Sequence, residues 1–152
     1  MSEDEYKEQL DELYKQQDNL EFDLNKKRID NENQYDDKRR EVERLMTLSA
    51  EKQADYNFSI RQTIDIHEDS IRNYTFEIPD EAKKIFTKAF QDHENTQVIF
   101  REIDNDLEQQ LIDVKQEFEN IDEQINKKHF SDMSKLDDLI DNLKEQFNNE
   151  QN

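Results

Sequence analysis

Apolar side chains recur every three or four positions along most of the chain. In the first half Tyr6, Leu10, Leu13, Leu20 and Leu24 keep that alternation, Leu45 and Leu48 return to the same frame, and Tyr56, Ile60, Ile64, Ile71 and Tyr74 continue it. In the second half Phe86, Ala89, Phe90, Phe100, Ile103, Leu107, Leu111, Val114, Phe118, Ile121 and Ile125 follow the same rhythm, closed by Leu136, Leu139, Leu143 and Phe147. A disordered chain has no reason to hold such a period, so the pattern predicts long amphipathic helices, each with a narrow apolar seam.

The one interruption is the stretch NYTFEIPDEA, residues 73–82, which contains the only proline of a chain without glycine. Pro79 lacks the N–H that a helix interior needs and pushes Ile78 out of the α region. At the first turn of a new helix the same residue costs nothing, and Asp80 and Glu81 suit the positive end of that helix. The expectation is an all-α fold, a long antiparallel two-helix hairpin of coiled-coil type filling 1–152 as a single domain. Helix 1 is expected at about 3–75, the turn at about 75–79 and helix 2 at about 80–147, with fraying confined to polar ends such as NNEQN. A kink in one continuous helix is the competing reading.

Folding back near residue 77 sets residue i opposite residue 154 − i. The polar stretch 25–41 of the first arm then lies beside 113–129, which carries Val114, Phe118, Ile121 and Ile125. One arm offers a seam and the other offers little to cover it. Leaving such side chains half exposed forfeits part of the roughly 1.5–3 kcal/mol that each gains on burial. The seam is therefore expected to meet another helix, with Phe100, Leu107, Leu111, Val114, Phe118, Ile121 and Ile125 as the partner-binding residues. Alternatively, Ile29, Tyr35 and Val42, with Lys and Arg stems, cover it within a monomer. Charge fixes direction: seven bases lie between Lys26 and Arg44, against nine acids between Arg101 and Gln124.

Composition narrows the function classes. Only 32% of residues are hydrophobic and 40% are charged, well above the roughly 25% charged of an ordinary domain. The net charge of −19 speaks against nucleic acid and anionic lipid as partners, because phosphate binding needs clustered bases. No cysteine is present, so neither a disulfide nor a thiolate metal site is possible. The acidic start MSEDEYKEQL has no cleaved-signal pattern, and no apolar run is long enough for membrane insertion. A cytoplasmic chain is expected, with any export by a route that is independent of a signal peptide.

Catalytic and metal chemistry find little foothold. His67 and His93 fall in facing regions and His129 lies apart, yet no Glu-x-x-His motif of a carboxylate-bridged dimetal bundle occurs. No glycine-rich phosphate loop exists, and Ser49, Ser59 and Ser70 lie inside helical pattern. No enzyme activity, metal or cofactor is expected.

A small, acidic, cysteine-free helical hairpin resembles the WXG100-like proteins of Gram-positive type VII secretion. More narrowly it is similar to the helical accessory proteins encoded beside LXG-type toxins. Where that family's turn often carries Trp-x-Gly, this chain has Phe76-Glu77-Ile78 before Pro79. The family's secretion-associated pattern, an aromatic followed four residues later by an acid, is matched along the second helix by Phe118 and Asp122. The resemblance implies a chaperone-like targeting factor that packs on the helical N-terminal domain of an LXG-type toxin, with room for a second small helical protein. The rival reading is a homo-oligomeric structural or scaffolding coiled coil, for which a homodimer is the simplest form.

Overall fold

The computed structural model describes the backbone at residues 1–73 and 80–152, and the side chains at 1–66, 80–81, 83–85 and 87–152. Among the described residues there are two helices, α1 (Glu3–Asn73) and α2 (Asp80–Gln151), and the fold is an all-α helical hairpin. The expected turn with Pro79 lies outside the described residues.

The start of α1 has a cap that the hydrophobic pattern does not reveal. Ser2 Oγ accepts from the Glu5 amide at 3.1 Å while Glu5 Oε2 accepts from the Ser2 amide at 3.3 Å, a reciprocal capping box. Glu3, Asp4 and Glu5 add favourable charge to that first turn, as Asp80 and Glu81 do for α2. The far end of α2 runs on to Gln151 instead of fraying at about 147. Two contacts hold it: Tyr6 stacks on Phe147 with centroids 4.0 Å apart, and the Met1 ammonium lies 3.3 Å from Glu150.

The chain divides into two compact units, Met1–Lys38 with Val114–Asn152 and Arg39–Asp113. In the first, Gln17 donates to Asp137 at 2.7 Å and Arg28 donates to Asn126. In the second, Gln97 donates to Asn57 at 2.7 Å. Each of these pairs satisfies the expected 154 − i register. The helices run antiparallel within each unit, and polar side chains bridge the flanks of an apolar seam.

The seam is only one or two side chains wide. Leu24, Leu136, Ile140 and Leu143 are its buried hydrophobic residues in the first unit, Val42 and Leu107 in the second. Several positions expected in the seam lie outside it: Leu48, Phe90, Ile103 and Leu139 are each more than two-fifths exposed. The reason is the drift of a helix against a strict seven-residue repeat. Phe100 and Leu107 are seven apart, but the inward residues Ile125, Leu136 and Phe147 are eleven apart. From Leu136 the frame that has drifted forward by one position selects Ile140, and Leu139 turns to solvent.

Candidate functional site

The residues singled out from sequence fall into two groups, one in each unit. In the second unit Leu107 is buried at 7% exposure, while Phe100 and Leu111 are half-buried. Phe100 meets the ring of Tyr56 edge-on at 5.3 Å, and His93 stacks on Tyr56 at 5.9 Å. His93 is thus an element of the seam; its Nδ1 is buried without a hydrogen-bond partner among the described residues.

In the first unit Val114, Phe118, Ile121 and Ile125 are all half-buried. Val114, Phe118 and Ile121 line, with Asn31, Tyr35 and Lys38, a groove in the strip that was expected to lack cover. Tyr35 lies 4.8 Å from Phe118, ring to ring. Lys38 Nζ reaches both carboxylate oxygens of Glu117 at 3.0 Å. Of the three side chains proposed to shield a monomer, Val42 is buried and Tyr35 half-buried, whereas Ile29 is 56% exposed and shields nothing. The expected shortage of cover is met in part: Asn31 bonds the opposing main chain and Tyr35 supplies area, yet the four apolar side chains stay half exposed.

Asn31 was missed by reading for apolar positions alone. It is 5% exposed, and its Nδ2 donates to the Phe118 carbonyl at 3.2 Å. Its place seven residues after Leu24 was the available signal. Asp122, paired with Phe118 in the motif reading, sits half-buried beside the seam and accepts from Asn126 at 3.3 Å.

Beyond these few buried positions, cover is incomplete in both units. No side chain is fully buried among the described residues, and Phe22, Ile29 and Phe130 of the first unit are 70%, 56% and 74% exposed. Ile85, Val98, Ile99 and Ile112 of the second unit are similarly open. Two antiparallel helices present one contact line to each other, so apolar side chains beside that line stay on the flank.

Among the described residues no group of three or more His, Asp or Glu converges. Glu41 has its carboxyl held below the usual range by a hydrogen bond from the Arg44 guanidinium, and by its charge, which also raises Arg44. Lys144 is raised by the Tyr14 hydroxyl, whose ring centroid is 6.0 Å from Nζ. All are solvated surface pairs. No described helix is long and apolar enough to cross a membrane. Compared with known families, with curated proteins and with solved structures, the chain finds no match.

Proposed function

We propose that the protein is a non-catalytic helical partner, a chaperone-like targeting factor that packs against the helical N-terminal domain of a type VII-secreted LXG-type toxin and promotes its export. The observation that supports this is the incomplete seam: two long helices in which no described side chain is fully buried. A further helix laid along the flank of the first unit would bury the open halves of Val114, Phe118, Ile121 and Ile125 without separating α1 from α2. That is how a third helix joins a bundle. The secretion step takes its support from the resemblance, with Phe118 and Asp122 as the motif residues.

The test is co-expression of the chain with an LXG-type toxin N-terminal domain, followed by purification and mass determination by light scattering. A stoichiometric complex, weakened by Leu111→Asp combined with Phe118→Asp, is the expected result. Because these two residues also face α1, Ile99→Lys with Ile112→Lys serves as a second variant that leaves the seam intact. A discrete homo-oligomer that excludes the toxin domain would overturn the proposal in favour of a scaffolding coiled coil.

A further inference from the structure

Leu13 on α1 and Leu143 on α2 mark the seam near the chain ends, one half-buried and the other buried. A step of about 100° per residue sends the neighbours before and after each leucine to opposite flanks. Tyr14 and Lys144, the residues after, meet on one flank, with Lys144 Nζ 6.0 Å from the centre of the Tyr14 ring. Glu12 and Asn142, the residues before, line a groove of about 600 Å³ on the other. Among the described residues no ion pair or hydrogen bond crosses this groove between 8–13 and 139–146, and Leu139, 52% exposed, adds open apolar surface to it. Every lining residue belongs to the first unit. The spacings 8, 9, 12, 13 and 139, 142, 143, 146 put each set on one face of its helix, so the groove is a single surface.

The groove has acidic rims. Glu8 and Glu12 line it on α1, and Asn142 and Gln146 also line a shallower depression with Glu145, which continues it along α2. No base lines either depression. Glu8, Glu12 and Glu145 form no ion pair among the described residues, and Gln9, Asn142 and Gln146 form no side-chain hydrogen bond. Residues 1–13 carry six acids and 137–152 carry five, with one lysine in each segment. Both lysines are engaged elsewhere, Lys7 with Glu3 at 3.4 Å and Lys144 at Tyr14. The next bases along the helices, Lys15 and Lys135, line neither depression. Like charges at four-residue spacing, such as Glu8 and Glu12, repel, and a cation set between them relieves that cost.

We propose that this groove docks a basic amphipathic helix of a partner protein, with its apolar stripe on Leu13, Leu139 and Leu143 and its lysine or arginine side chains on Glu8, Glu12 and Glu145. Shape and charge select that occupant. A groove between two helices accepts the side-chain ridge of a third, and apolar lining between carboxylate rims matches an apolar stripe between cations. The open amides of Gln9, Asn142 and Gln146 can accept from the same cations. A second copy of this chain fits poorly, because its lysine run 83–88 is bounded by Asp80, Glu81 and Asp92, and 26–44 sets six acids against seven bases. Nucleic acid and anionic lipid bring the wrong sign of charge. The groove is separate from the strip 114–125 given to the toxin domain, so this partner goes beyond the targeting role.

The experiment uses the full chain and a synthetic amphipathic helix of leucine and lysine, with a second peptide bearing glutamine for lysine, both followed by fluorescence anisotropy. The lysine peptide is expected to bind, and to bind more weakly as salt rises from about 0.05 to 0.5 M. Glu8→Gln, Glu12→Gln and Glu145→Gln together should weaken it about tenfold. Leu139→Ala, at an exposed position, should weaken it about fivefold with circular dichroism unchanged. Because any cation is drawn to a chain of net charge −19, the deciding control is Glu94→Gln with Glu102→Gln and Glu108→Gln. That variant removes the same charge from the other unit and should change binding less than about twofold. An equal loss in the control, equal binding of the glutamine peptide, no binding, or no effect of Leu139→Ala overturns the inference. A doubling of the protein's own mass that the groove variant abolishes would do the same, since a second copy would then be the occupant. The peptide tests this groove alone: failure of the toxin domain to bind leaves the inference standing, and failure of the peptide leaves the targeting role standing.

Discussion

Asn31 of α1 donates a hydrogen bond from its side-chain amide to the main-chain carbonyl of Phe118 on α2, at 3.2 Å and nearly out of contact with water. A buried amide in an apolar seam lowers stability relative to a leucine but is satisfied in only one alignment, so it specifies register. Asn31→Leu is therefore expected to raise the melting temperature by a few degrees while loosening the alignment. Spin labels at Glu12 and Asn142, which line one groove, would report this as a broader distance distribution. A lower melting temperature with an unchanged distribution would show that the hydrogen bond serves stability alone.

Ile140 and Leu139 are adjacent, yet one is 5% exposed and the other 52%. Ile140→Ala should cost about 2 kcal/mol, toward the low end for a buried aliphatic residue because a two-helix seam is open at its sides. Leu139→Ala should stay within about 0.5 kcal/mol. Chemical denaturation of the two variants checks the frame of the C-terminal seam directly; equal losses would mean that the frame has not drifted.

The stack of Tyr6 on Phe147, with planes 8° apart, ties the two chain ends together. Phe147→Ala removes apolar contact and about 0.5–1.5 kcal/mol of ring interaction. Hydrogen exchange should then quicken in residues 3–10 and 143–151, with protection near Leu107 unchanged. A uniform change along both helices would contradict a local role.

Protonation of Glu41 removes its pairing with Arg44. Because the folded carboxyl lies below its usual range, the pair contributes above the ordinary glutamate range and is lost as the pH falls through the lowered value. Both side chains are fully solvated, so the effect on global stability is expected to be too small to detect in a melt. It is readable instead by carbon NMR titration: the Glu41 midpoint should sit below the usual glutamate range and return to it in Arg44→Gln.

Much of the fold was legible before any coordinates, because helix formation in a chain like this depends on local period. The three-and-four spacing from Tyr6 to Leu24 and from Phe100 to Ile125 marked both helices, and the single proline with its acidic neighbours marked where the second begins. The 154 − i register followed from the place of that break. The capping box at Ser2 and Glu5 was also written in adjacent residues, though reading for apolar positions passes over it.

The seam itself was decided by tertiary structure. Whether Leu139 or Ile140 turns inward depends on rotation accumulated over several preceding turns, to which a local pattern is blind. Whether a polar residue such as Asn31 is accepted inside depends on a main-chain carbonyl of the other helix being within reach. Lys26-Lys27-Arg28 and Lys127-Lys128-His129 are likewise two unremarkable triplets in sequence, roughly a hundred residues apart. Antiparallel pairing is what brings them to one level. Sequence by itself determined which elements form and in what direction they pair, since those rest on backbone geometry and hydrophobic period. Which side chains share a surface was settled only when two helices, each turning slightly out of step with a seven-residue repeat, were packed against each other.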